Sequence, residues 1–372
     1  MRGFVVGLVV LHHATLAYCT FGHIDRVNYA RSTAPIVDPQ RWVVFDLVVR
    51  LDDGFFMPLL FLLSGLFVRD GLIRHGPAAF LGTRIRRLGL PFAIAILTVG
   101  PLAYYPSFLQ AGGTPGFGSF WIRTVTAGPW PSGPPWFIGV LLLFDVAATL
   151  VFILASRCIV GPVPPPAPRA VTGFALLLAG SCLLYLPLLL ALGPTLWLGI
   201  GPLAVQGSRI GLYAGYFAAG VGLGCGGMPA IVQFARRLST RWTAWSLLAA
   251  LTGAAFLTAG ETARWGLHRP APITLVALGT MQVTFCAAAS FGLLALFLRF
   301  GGGRSAAWDS LAANSFAIYL LHYPLVTWTQ YGLLATRAGA PMKSAVVFTV
   351  ALAASWACAS SLRSFPLVGR IL

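Results

Sequence analysis

A chain of 372 residues that is 58% hydrophobic and 9% charged carries more apolar side chain than a soluble core of that size can hide, which excludes soluble globular classes and leaves a polytopic membrane protein. The formal net charge of +16 does not indicate nucleic acid, because the basic residues lie in short clusters between apolar runs, where they act as topology signals facing anionic headgroups. The expected partner is therefore the lipid bilayer, with no nucleic acid. Cys19, Cys158, Cys182, Cys225, Cys286 and Cys358 all lie in or beside apolar segments. They lack metal-ligand spacing and are expected as free thiols, with no metal site.

The chain opens on Arg2-Gly-Phe-Val-Val-Gly-Leu-Val-Val-Leu-His12-His13-Ala14. Eleven residues make about three helical turns, so Arg2 and His13 share a face roughly 16 Å apart along the axis. That is half of a bilayer core of ~30 Å. With Arg2 at the cytoplasmic boundary, His13 lies near the midplane, where an ionisable group is costly unless it lines a cavity or has a partner. Two readings stand here: a catalytic histidine, or a helix-packing histidine bonded to a neighbour. Leu16-Ala-Tyr18-Cys19 makes a poor lipoprotein cleavage box, because Tyr18 is too bulky, so the segment is expected to persist as the first span. A natural start a few residues upstream is also expected.

Apolar runs long enough to span follow at 2–21, 43–68, 88–106, 136–155, 171–193, 207–228, 243–260, 273–298, 309–333 and 344–362. The expected fold is an all-α bundle of about ten transmembrane helices forming one domain, 1–372. An even count puts both termini on one side, and a modest arginine bias makes that side cytoplasmic. Arg84, Arg86 and Arg87 carry most of that bias. The long connections 22–42 and 107–135 then face outward and are suited to covering a site. Gly161-Pro-Val-Pro-Pro-Pro-Ala-Pro168 reads as a stiff polyproline spacer. No internal repeat is visible.

In the second run, Asp46 and Arg50 are four apart and can pair on one helix face. Asp52-Asp53-Gly54 is expected to break the helix, with Pro58 bending or starting the span proper. Either Asp52 or Asp53 can orient His13 as an acid–base dyad, or both can cap the following helix. Ser64-Gly65 permits close helix contact. Further on, Arg84 and Arg87 share a helix face with Arg86 beside them, forming either a phosphate site or a headgroup anchor. Trp130, Trp136, Trp197, Tyr104 and Tyr105 fall at expected outer ends, as an aromatic belt or as sugar-stacking groups. His322, inside the ninth run, is either catalytic or a packing residue.

In order, these landmarks resemble the acyltransferase 3 family of integral membrane O-acyltransferases, most closely the glucan biosynthesis protein C branch. The resemblance rests on Arg2 and His13 with ten residues between them, Phe56-Met-Pro-Leu-Leu-Phe-Leu-Leu-Ser64-Gly65, Arg84-x-x-Arg87 before Pro91, Pro135-Trp136-Phe137, and Ile318-Tyr319-Leu-Leu-His322-Tyr-Pro324. It implies a ten-helix bundle in the cytoplasmic (inner) membrane that moves an acyl group from a cytoplasmic acyl-CoA to a hydroxyl of an extracytoplasmic glycan. The donor is acetyl-CoA or succinyl-CoA as a co-substrate, and no cofactor is permanently bound. The family's arginine–histidine signature maps onto Arg2 and His13, and its donor-associated arginine pair onto Arg84 and Arg87. The extra His12 leaves open which imidazole acts.

Such a transfer needs a base, an oxyanion stabiliser and a place for the donor's phosphates. His13 is expected as the base, helped by Asp52 or Asp53. His322 is expected to position the acceptor or stabilise the oxyanion, Arg84, Arg86 and Arg87 to hold the donor, and Trp136 and His12 to line the acceptor site. Without a nucleophilic serine or cysteine motif, direct transfer is favoured. The rival reading is a secondary transporter or flippase with a buried His/Asp relay.

Overall fold

A computed structural model describes residues 1–114, 116–130, 133–159, 167–266, 271–303 and 305–366, with the side chains of 155–159 and 261–266 left aside. Most of the polyproline spacer and the side chain of Cys158 lie outside the described residues. The other five cysteines are free thiols.

Among the described residues the chain is mostly helical, with one two-stranded ribbon. Helices run over Arg2–Leu16 (α1), Val43–Gly65 (α2), Val68–Arg84 (α3), Leu90–Ile94 (α4), Gly100–Gln110 (α5), Phe117–Thr126 (α6), Trp136–Ile159 (α7) and Ala170–Leu192 (α8). A β1–β2 hairpin, Trp197–Ile200 and Leu203–Gln206, is followed by Ile210–Gly224 (α9), Gly227–Ser239 (α10), Trp242–Gly266 (α11), Pro272–Phe300 (α12), Ala306–Leu333 (α13) and Ala340–Arg363 (α14). In the hairpin Trp197 opposes Gln206, and the turn passes through Gly201 at φ 58°, a left-handed conformation that only glycine adopts cheaply. α3 is kinked at Gly76, whose φ is 76°, and two π-helical turns, Ile85–Gly89 and Ala95–Val99, join its second part, α4 and α5 into one long rod.

Among the described residues, six helical segments are long and apolar enough to cross a membrane, and a seventh if α9 and α10, bent by 112° at their junction, count as one span. The expected ten is not reached on that measure. The three that fall short are α1, α2 and α13. α1 has 15 residues where a span needs about 20. α2 carries Asp46, Arg50, Asp52 and Asp53, and α13 buries Asn314, His322 and Gln330. These are the helices that carry His12, His13, Asp52, Asp53 and His322.

α2 is continuous through the expected break at Asp52–Gly54, so neither aspartate caps a helix. Its proline is accommodated by a partner. Pro58 has no N–H to give the Gly54 carbonyl one turn earlier, and Gln282 of α12 donates to that oxygen at 3.2 Å. The device recurs: Pro101 and Pro106 orphan the carbonyls of Leu97 and Leu102, which accept from the indole N–H groups of Trp121 at 2.7 Å and Trp328 at 3.0 Å. In an apolar medium such carbonyls must find donors within the protein, so each proline selects a neighbouring helix. α2 also packs on α9 by bare backbone, because a Cβ at Gly65 would meet the Phe217 carbonyl and one at Gly220 the Leu62 carbonyl. The close contact read from Ser64-Gly65 is this seam. Asp46 accepts from the backbone N–H and the hydroxyl of Thr20, and the Arg50 guanidinium lies over the Phe256 ring at 5.0 Å.

One end of the bundle is capped by the 17–42 connection. Asp38 and Lys343 form an ion pair at 2.8 Å in which both side chains are 1% exposed. Val37 and Gln110 exchange two hydrogen bonds of 3.1 and 2.7 Å. The tip is an Asx turn in which Asn28 and Val27 N–H groups hold the Asp25 carboxylate below its usual pKa. Tyr29 packs into a ring cluster with Tyr104, Tyr105, Phe120 and Tyr323.

Candidate active site

α1 lies against α13 and α2. Gln330 fixes the first contact by donating to the carbonyls of His13 and Ala14 at 2.9 and 3.4 Å. The pairing brings three imidazoles together: the His13 ring centroid is 5.4 Å from His322 and 5.2 Å from His12. Tyr323 stands edge-on to His13 at 4.8 Å, and its hydroxyl is 3.4 Å from that of Tyr104. The Tyr29 cluster closes the centre from the loop-capped end.

The hydrogen bonding of these groups is incomplete. His322 Nδ1 lies 2.7 Å from the Tyr319 carbonyl. Because a carbonyl only accepts, Nδ1 carries the hydrogen and the neutral ring presents Nε2 as an acceptor. His322 Nε2 is buried without a partner, as are His12 Nδ1, His13 Nδ1 and Asp52 Oδ2. A buried polar atom left unbonded costs about 1–3 kcal/mol, and the three imidazole nitrogens, on rings within 5.2–5.4 Å of one another along the chain of contacts, leave room in the bonding pattern for a polar ligand. In this tautomer His322 offers an acceptor, which suits the positioning role of the two expected of it.

Among the described residues, no carboxylate hydrogen-bonds His13. Asp46 is engaged by Thr20, and Asp53 pairs with Arg209 at 2.6 Å through its carboxylate and accepts at 3.2 Å through its carbonyl. Asp52 is buried, and its Oδ2 has no hydrogen-bond partner. The Asp53–Arg209 pair instead acts electrostatically on His12, whose ring rests 5.4 Å from Phe56.

The arginine cluster is divided. Arg84 Nε meets the fully buried Asp145 of α7 at 3.2 Å, a charge contact without aligned hydrogen bonds, and covers the Phe80 ring at 5.0 Å. The π turn begins at Ile85, so the expected shared α-helical face of Arg84 and Arg87 does not form. Arg86 and Arg87 are exposed. Arg2 is exposed at the first turn of α1, about three turns from His13.

Trp136 opens α7 and lies 5.5 Å from Tyr213. With Trp130 and Tyr323 it lines a narrow cleft of about 10 Å³, room for about one water. The Tyr319 hydroxyl donates to the Pro134 carbonyl in the same connection. Among the described residues, no set of three His, Cys, Asp or Glu side chains is placed to hold a metal.

Sequence reasoning passed over Arg209, Asp145, Gln330 and the partner role of Tyr323. Two of these carried a signal: Arg209 is the single charged residue between Arg169 and Arg236, and Asp145 the single one between Arg123 and Arg157. A lone charge in so long an apolar stretch requires a buried partner.

No curated protein and no solved structure matches the chain. A family model described as an acyltransferase domain matches residues 1–360, a range that takes in the three histidines, both ion pairs and every helix named at the site. On that match the chain belongs to the acyltransferase 3 family and is a membrane acyltransferase.

Proposed function

We propose that this protein transfers an acetyl or succinyl group from acyl-CoA to a hydroxyl of an extracytoplasmic glycan, with His13 as general base. The observation that carries the reading is the buried meeting of His13, His322 and Tyr323 with imidazole nitrogens left unbonded.

In this scheme His13 takes the proton of the acceptor hydroxyl as its oxygen forms a bond to the thioester carbonyl carbon. The carbon–sulfur bond then breaks, and the proton passes from His13 to the departing thiolate, so no acyl-enzyme is required. His322 Nε2, fixed as an acceptor, orients the incoming hydroxyl or the proton on His13. The Tyr323 hydroxyl, on a ring that stands edge-on to His13, takes the oxyanion role. Arg86 and Arg87, exposed at the arginine-rich end, and Arg2 at the start of α1 meet the donor's phosphates. Arg84 supports them structurally, because Asp145 already neutralises it. Trp136 and Trp130 guide the acceptor from the loop-capped end. Both termini then face the cytoplasm across the inner membrane.

The test is acyl release by purified protein in nanodiscs, offered acetyl-CoA and succinyl-CoA with periplasmic-type glucans. Glucan-dependent thiol release that disappears in His13→Ala supports the proposal, and the better donor names the acyl group. Folded protein that neither binds nor consumes either thioester would refute it and transfer the histidine set to a proton relay in transport.

A further inference from the structure

A second cavity, of about 650 Å³, lies apart from the histidines at the arginine-rich end. Its volume is in the range of sites for bound organic molecules. The amino-terminal end of α1 reaches it through Met1, so it lies roughly 18 Å from His13 along that helix. A two- or four-carbon acyl group held at the histidines does not fill it.

The space exists because side chains are missing. Gly180 of α8 and Gly222 of α9 line it, and a Cβ at either position would meet no atom within 4 Å. The remaining wall is hydrocarbon, including Leu62, Leu177, Phe234 and Phe291, with one exception. The Ser181 hydroxyl lines the cavity, is 1% exposed and has no hydrogen-bond partner. A buried hydroxyl is expected to find an acceptor, and here the cavity is the place from which one can come. The space opens sideways past Leu176 and Leu298, both exposed. α10, turned 112° from α9, closes the end with Phe234 and Leu238.

Arginines flank the lining in sequence: Arg169, Arg236 and Arg299 directly follow Pro168, Ala235 and Leu298, all three are exposed, and the Arg299 guanidinium lies 5.7 Å from the Phe300 ring centroid. A hydrocarbon slot open to the lipid side, one hydroxyl donor within it and three exposed arginines next to its lining residues match an acyl chain, its ester carbonyl and an anionic headgroup. Basic sites between helices at the membrane surface bind anionic lipid heads by this chemistry. We propose that this cavity is a specific site for an anionic phospholipid of the arginine-side leaflet. One acyl chain lies between α8, α9 and α12, its ester accepts from Ser181, and its phosphate rests on Arg169, Arg236 and Arg299.

The experiment is native mass spectrometry of the delipidated full chain in mild detergent, given equal amounts of phosphatidylglycerol and phosphatidylcholine. One phosphatidylglycerol is expected to be retained in preference. Gly180→Leu and Gly222→Leu, each placing a side chain in empty space, are expected to abolish retention while the melting temperature shows the protein folded. Arg236→Gln and Arg299→Gln lie on the surface, leave the core intact, and are each expected to reduce the headgroup preference about fivefold. Unchanged retention in both folded leucine variants, or equal retention of the two lipids by wild type, overturns the proposal. Occupancy by palmitoyl-CoA with phosphatidylglycerol excluded also overturns it and assigns the cavity to a thioester.

Discussion

The loop-capped end and the histidine centre bury polar groups to similar depth but treat them differently. At the cap, Asp38 has Lys343, Asp46 has Thr20 and Gln110 has Val37. At the centre, His13 Nδ1, His322 Nε2 and Asp52 Oδ2 have no protein partner. Satisfied groups hold the chain in place, and their bonds are complete without a ligand. Unsatisfied ones retain hydrogen-bonding capacity for something that arrives later. The contrast holds for the ion-paired and amide groups of the cap against the imidazoles, since the Tyr18 and Tyr29 hydroxyls at the cap are also buried without a partner; what sets the centre apart is that its unbonded nitrogens belong to rings packed against one another.

The strongest way to break the comparison is at its two poles. His13→Gln, which keeps the ring's approximate size, is expected to lower acyl transfer by about 10²–10⁴ with little change in the melting temperature, read from thiol release and thermal unfolding of the same preparation. A large loss of stability would make His13 a packing residue. Lys343→Met should do the reverse. Leaving Asp38 buried without its cation costs about 3–5 kcal/mol, while Asp38→Asn with Lys343→Met, which keeps the bond to Gln40, is expected to recover most of that loss.

A finer test lies on α2. Gln282→Leu leaves the Gly54 carbonyl without a donor and is expected to cost about 1–3 kcal/mol. In a Pro58→Ala background the restored backbone N–H can take that carbonyl, so the same change should cost far less. Additive losses would show that Gln282 does not compensate for the proline. The smallest effect is expected at Gly82→Ala in α3, where a Cβ meets nothing within 4 Å. The helix should gain up to about 1 kcal/mol, and transfer activity should be unchanged.

Class and family were legible in the sequence because apolar run length and the spacing of Arg2, His13, Ser64-Gly65 and His322 are local signals. Charge pairing was not. Nothing in the spacing of Asp52 and Asp53 shows that one meets Arg209, 156 positions away, or that Arg84 is held by Asp145. The four-residue Asp46–Arg50 spacing suggested a local pair, yet Thr20 also binds that carboxylate. The tautomer of His322, which decides whether it gives or receives a hydrogen bond, depends on the Tyr319 carbonyl and so on the local fold. The span count was blurred for a related reason: α2 and α13 are diluted in apolarity by polar residues they bury, and α1 is short.

The two π turns between α3 and α5 give the rod a surplus of backbone that can be edited. Each turn holds residues beyond what the regular 3.6-residue winding requires, and one residue corresponds to about 100° of rotation and 1.5 Å of rise. Deleting one residue within 85–89 would allow that turn to rewind as an ordinary helix. Everything on its amino-terminal side would then swing about a quarter of a circle, carrying Arg84 away from Asp145 while α5 and its tryptophan-bound carbonyls stay in place. The segment thus contains a built-in dial, one residue per step, that sets the azimuth of the arginine-rich end without disturbing the aromatic cap.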